Sequence, residues 1–309
     1  MDGNARGKMP GIRAGGILLA IIGASLWGLS GTLSSILFRD YRMPFSTLVS
    51  LRMILAGVIA LAVLRPAFPK KSAGSFLLFA LAGLFGVQIT YLATISYSNA
   101  PTATLLQYLF FPIVIIYEVA RKKVRLTAGI IVSVALALGG TFELTTSFPS
   151  HSAAIILSPL ALAFGLMSAL TAALYTIMSG PLIRQNGTLP VITWAFIIGG
   201  SFSIIFSLNS SYSYFSGIRP EELPAILALV LLVAVFDTLV AFGLYIRSMQ
   251  EITATQASLA GTMEPITAAI SSALLLGIFL TGFQYIGGVL IVMAIITVQL
   301  FSFRGRRAV

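Results

Sequence analysis

Apolar residues in this chain neither alternate with polar ones nor recur once per helical turn. They run nearly unbroken through Ala14–Phe38, Phe45–Leu64, Ala73–Tyr97, Pro101–Val119, Leu126–Thr145, Ala154–Gly180, Val191–Leu208, Glu222–Arg247, Ala254–Leu276 and Gly282–Ser302. A run of about twenty apolar residues is what a helix needs to cross the hydrocarbon core of a bilayer. Backbone groups in lipid must bond within their own segment, so long apolar runs predict helices. A β-barrel would show alternating segments of roughly ten residues instead. Turn and breaker residues fall between the runs: Met43-Pro44, Arg65-Pro66, Asn99-Ala100-Pro101, Asn186-Gly187 and Arg219-Pro220. The pattern predicts an all-α membrane protein of ten transmembrane helices with no separate extramembrane domain. The first run is too long for a signal-peptide core, and no small-residue cleavage site follows it before Arg39, so it reads as a retained helix.

Composition agrees. The chain is 58% hydrophobic and 9% charged, with a mean hydropathy of +0.99, whereas soluble domains carry about 25% charged residues. There is no cysteine, and His151 is the one histidine, which removes disulfides, thiol nucleophiles and most transition-metal sites. No cofactor is expected.

The net charge of +10 suggests nucleic acid until the charges are placed. Loops on the N-terminal side hold Arg6, Lys8, Arg13, Arg65, Lys70, Lys71, Arg121, Lys122, Lys123, Arg125, Arg184, Arg247, Arg304, Arg306 and Arg307. The opposite side holds Arg39, Arg42 and Arg219. This asymmetry is a topology signal, and it predicts cytoplasmic termini in a bacterial-type inner membrane. The lipid bilayer, not nucleic acid, is the expected partner.

The chain also repeats itself. Asn99-Ala-Pro-Thr-Ala-Thr104 enters the fourth run, which holds Pro112; Glu251-Ile-Thr-Ala-Thr255 enters the ninth, which holds Pro265. Leu126-Thr127 and Leu280-Thr281 open the runs that follow, and Met43-Pro44 is matched by Leu189-Pro190. The unit is five helices, with residues 1–150 as the first repeat and 151–309 as the second. Five is odd, so the second unit enters the membrane from the opposite face, giving an inverted-topology repeat. Such repeats place a substrate site near the midplane between the halves, worked by rocking one half against the other. Each proline frees a carbonyl, tolerable only against protein or a wet cavity. A lone proline there reads as a packed kink; the matched pair reads as hinges.

Several motifs carry a family resemblance over essentially the whole chain. They are Trp27-Gly28, Arg52, Ser98-Asn99-Ala100-Pro101-Thr102-Ala103 with Pro112, Met263-Glu264-Pro265, Leu275-Leu276-Gly277, and Phe283-Gln284-Tyr285-Ile286-Gly287. Together they resemble the EamA-type, ten-helix members of the drug/metabolite transporter superfamily. Members often carry a glutamate after the last Leu-Gly, where this chain has Ile278. The resemblance implies a secondary transporter, with export of amino acids or similar small zwitterionic metabolites as the plainest carry-over and protons as a coupling ion. A passive facilitator or channel, and an exporter of another metabolite or drug class, are the alternatives. A monomer fits better than an obligate oligomer.

Charges inside a bilayer cost at least about 2.5–3.5 kcal/mol each on insertion scales, so each invites a reason. Asp237 lies deep in the eighth run, with Gln88 at the matching depth of the third, and Glu264 directly precedes Pro265. Either they line a substrate cavity, binding an ammonium group or a proton, or they hold the bundle together by hydrogen bonds. Gln107, Tyr108 and Thr104 share a helix face, as do Thr255, Ser258 and Thr262; hydroxyls of this kind serve either as cavity lining or as interhelical glue. Trp27 sits midway along its run, unlike interfacial Trp194, and is a candidate cavity wall with Tyr91. Arg52 is close enough to a helix end to snorkel outward, with a substrate carboxylate or Glu143 as alternative partners. Gly28-Leu29-Ser30-Gly31 imitates an intramembrane serine-protease motif, but no base lies within reach of Ser30. No Walker-type motif occurs. No enzymatic activity is expected.

Overall fold

The computed structural model of the chain describes residues 14–121, 126–145, 157–248, 260–261 and 263–304, and every regular element among them is a helix. In order these are α1 (Ala14–Arg39), α2 (Phe45–Leu64), α3 (Ala73–Tyr97), α4 (Ala100–Gln107), α5 (Phe110–Ala120), α6 (Ala128–Thr145), α7 (Pro159–Asn186), α8 (Thr188–Gly217), α9 (223–248), α10 (Met263–Leu276) and α11 (Gly282–Arg304). Among the described residues, six helices are long and apolar enough to cross a membrane. Four shorter apolar helices, Ala128–Glu143, Leu223–Phe236, Met263–Leu276 and Gly282–Ala294, stand where the other expected spans lie.

Local chemistry sets the helix ends. The Asn99 side chain accepts from the Thr102 amide at 2.9 Å, with Pro101 in the first turn of α4. Ser158 caps α7 in the same way, accepting from the Ala161 amide at 3.1 Å ahead of Pro159. Thr281 and Gln284 form a reciprocal capping box at α11, at 3.1 and 3.3 Å. Gly277 takes φ +64° past the end of α10, which lets the Ile278 amide return to the Ser272 carbonyl at 3.2 Å.

The sixth run, read as ending at Gly180, continues to Asn186, and two other places differ from the sequence reading for identifiable physical reasons. α8 continues past Leu208 to Gly217, although Asn209 to Ser216 read as loop. The polar residues bond α2 instead of water: Ser46 meets Ser210 at 3.0 Å, and Ser211 donates to Thr47 at 3.1 Å. The fourth run is broken at Tyr108-Leu109, where the Leu109 and Phe111 amides reach back only three residues, to Leu106 and Tyr108.

Packing respects exchange of the two halves, in which α1, α2, α3, α4/α5 and α6 correspond to α7, α8, α9, α10 and α11. α1 packs on α9 and α10, as α7 packs on α3 and on α4/α5; α3 meets α8 as α9 meets α2. The pairs α2–α8, α4–α10 and α6–α11 map onto themselves. These are the contacts a two-fold axis between the halves requires. Lipid tails supply no hydrophobic drive between helices, so close approach at small residues must hold the seams. A Cβ on Gly57 would lie 2.8 Å from Ile197 Cγ1, and a Cβ on Gly200 would lie 2.9 Å from Ile54 Cγ1, a reciprocal fit about that axis. π-helical stretches at Phe79–Phe85 and Val233–Val240, 154 residues apart, interrupt α3 and α9 at equivalent places.

Candidate functional site

A cavity of about 660 Å³ lies between the halves. α1 brings Trp27, α3 brings Gln88 and Tyr91, and the break after α4 brings Gln107 and Tyr108; Gly261 and Glu264 come from the second half. The volume falls in the range of small-molecule sites, roughly 300–1,000 Å³. Along α7 the wall runs through Tyr175, Thr176, Ser179 and Ile183, and it continues to Thr188 and Ile192 on α8. The cavity therefore reaches the face that carries Arg65, Lys70, Lys71 and Arg184.

At the other face the halves meet. Thr32 on α1 bonds Ser271 at 2.6 Å and Ser272 at 3.1 Å on α10, and Arg39 donates to the Leu276 carbonyl at 3.1 Å. Phe164 of α7 stacks on Tyr97 with centroids 5.7 Å apart and also meets Phe45.

Tyr108 occupies the centre of the site. Its hydroxyl donates to the Gly261 carbonyl at 2.9 Å and lies 2.8 Å from Glu264 Oε2. Pro265 has no N–H to offer the carbonyl four residues back, which is that of Gly261. The tyrosine thus satisfies the acceptor that the proline strands. Tyr108 and Gly261 are themselves repeat-related, 153 residues apart, like Pro112 and Pro265. Pro112 falls in the first turn of α5, where an N–H has no intrahelical partner anyway. Pro112 therefore costs its helix no hydrogen bond, and the break precedes it.

Trp27, Gln88, Tyr91, Gln107, Tyr108 and Glu264 all line the cavity. Several also act as glue, so the two readings of these residues are not exclusive: Gln107 donates to Ser168 at 3.1 Å, and Tyr91 meets Thr104 at 2.8 Å. Trp27 packs on Tyr245 with centroids 5.0 Å apart. The Asp237 backbone lies in the π-helical stretch of α9; its side chain, with Thr255, Ser258, Thr262 and His151, lies outside the described residues. Arg52 does not snorkel. It is 4% exposed and lines the cavity. Trp194 donates to the Pro66 carbonyl at 3.2 Å, at a helix end as expected. Gly28-Leu29-Ser30-Gly31 is a packing motif: a Cβ on Gly28 would lie 2.4 Å from the Glu264 carbonyl oxygen, and one on Gly31 2.9 Å from the Tyr91 hydroxyl. The polar stripe Tyr175, Thr176 and Ser179 was missed, although its i, i+1, i+4 spacing in an apolar helix was a legible signal.

The sequence profile of the EamA-like transporter family matches residues 14–146 and 159–300, one match in each half. The chain is 34% identical over 302 residues to the "Uncharacterized inner membrane transporter YicL" of Salmonella typhimurium, covering 95% of this chain and 98% of that protein. A crystal structure of a protein 16% identical in sequence superposes with a TM-score of 0.63, over 94% of this chain and 99% of the other, and supports the fold.

Proposed function

This chain belongs to the EamA-like transporter family, and from that premise we propose that it exports amino acids or similar small zwitterionic metabolites across the inner membrane by alternating access. One observation carries the reading: a cavity between the halves reaches one face and is sealed at the other by contacts between them. A continuously open channel does not fit a sealed end. The face that the cavity reaches carries Arg65, Lys70, Lys71 and Arg184, so we assign it to the cytoplasm, together with both termini. The halves join near residue 150, and Pro112 and Pro265 mark the pivots.

In this account Glu264, held by Tyr108, receives the substrate's ammonium group or a coupling proton. Gln88, Tyr91, Gln107 and Trp27 shape the cavity around the rest. The sequence assigns Asp237, Ser258 and Thr262 to substrate binding as well; Ser258, Thr262 and the Asp237 side chain lie outside the described residues. The test is counterflow. Purified protein in liposomes loaded with unlabelled amino acids should accumulate the labelled ones transiently, and liposomes without protein should not. No accumulation for any of the twenty amino acids would overturn the substrate assignment.

A further inference from the structure

We infer that Arg52 is the anion-recognising residue of this cavity, and that Arg52 and Glu264 together select ligands carrying both a cationic and an anionic group. The inference rests on the transport reading above and narrows it. Arg52 belongs to α2 in the first half, and Glu264 to α10 in the second, yet both line one cavity. Tyr91 of α3 lines the same cavity, its hydroxyl anchored to Thr104 at 2.8 Å. A cation, a tyrosine and a carboxylate thus line one cavity across the seam. Among the described residues lining the cavity, these are the two formally charged groups.

A guanidinium carries five N–H donors in a planar fork that matches a carboxylate in two-point geometry. Five donors are enough to serve contacts within the protein and a ligand carboxylate together. A zwitterion would set its carboxylate on Arg52 and its ammonium on Glu264, and so tie the first half to the second. A ligand lacking either group reaches one half alone. Selection and closure then share one cause, because a bridging ligand adds a tie between the halves to the direct contacts they already make. Trp27, Tyr245, Phe110 and Phe111 supply an apolar wall for the remainder of the ligand.

The experiment measures binding of L-leucine, L-leucinamide and N-acetyl-L-leucine to the purified full chain, by ligand-induced thermal stabilisation in detergent. The parent should bind leucine, and bind leucinamide and N-acetyl-leucine at least roughly tenfold more weakly, the loss expected for a missing charge-assisted contact. Arg52→Gln should bring leucine down to the level of leucinamide while leaving leucinamide unchanged, and Arg52→Lys should recover part of the difference. A purely structural arginine would lower the melting temperature but leave the ratio of leucine to leucinamide intact, which overturns the inference. Equal binding of leucine and leucinamide by the parent also overturns it, needs no variant, and leaves the transport reading standing. Absence of both leucine binding and amino-acid counterflow would remove the transport reading and this inference together.

Discussion

The Tyr108 hydroxyl gives the most quantitative prediction. Tyr108→Phe removes the hydroxyl whose single proton is shared between the Gly261 carbonyl and Glu264, at 2.9 and 2.8 Å. Hydrogen bonds between transmembrane helices contribute about 0.6 kcal/mol on average and up to about 1.7. One shared donor puts the cost at roughly 0.6–1.7 kcal/mol, with water in the adjoining cavity holding it toward the lower end. Pro265→Ala should recover part of this loss, because it restores an N–H four residues after Gly261 and gives that carbonyl a helical partner. Tyr108→Phe should therefore cost less in the Pro265→Ala background than in the parent, by about 0.6 kcal/mol or more. The readout is unfolding by SDS titration in mixed micelles, followed by the fluorescence of the two tryptophans, Trp27 and Trp194. Independent sites add to within about 0.3–0.5 kcal/mol. An equal cost in both backgrounds would mean that the tyrosine does not serve the acceptor stranded by the proline.

Two further outcomes follow from the same geometry. Gly28→Ala places a Cβ 2.4 Å from a backbone oxygen of α10 and should cost roughly 1–3 kcal/mol as overpacking, whereas Gly139→Ala, with nothing within 4 Å, should leave the melting temperature unchanged or slightly raised; equal effects would contradict the α1–α10 seam. Glu264→Gln keeps the shape of the side chain and should abolish counterflow with little change in stability. Persistent transport by that variant would move the working carboxylate to Asp237.

The fold was legible because lipid leaves a chain few options. Uninterrupted apolar runs, prolines and the Asn-Gly step pointed to an all-helical membrane fold, and the matched Pro112 and Pro265 pointed to the repeat. The break at Tyr108-Leu109 was not legible, since neither residue is a helix breaker; it arises from the shortened backbone bonds around Tyr108. The polar end of α8 was misread because Asn and Ser serve equally well in loops and in hydroxyl contacts between helices. Within the site, Glu264 and Tyr108 were singled out from depth and spacing alone. Arg52 was read as snorkelling because distance from a helix end says nothing of whether that end is covered by neighbours. Pairing Tyr108 with Gly261 required coordinates, because the acceptor is a backbone carbonyl that no side-chain pattern announces.

The central claim is that one cavity is reached from the two faces in turn, and the absence of native cysteine allows a direct measurement. Single cysteines at Ser179, on the cavity wall, and at Thr32, in the opposite seam and 0% exposed, would be probed with a membrane-impermeant maleimide in right-side-out and inverted vesicles. At rest, Ser179→Cys should react in inverted vesicles alone and Thr32→Cys in neither. During counterflow with L-leucine, Thr32→Cys should become reactive in right-side-out vesicles while labelling of Ser179→Cys slows. Labelling of both positions from both faces at rest, or a Thr32→Cys that stays unreactive throughout turnover, would contradict alternating access through this cavity.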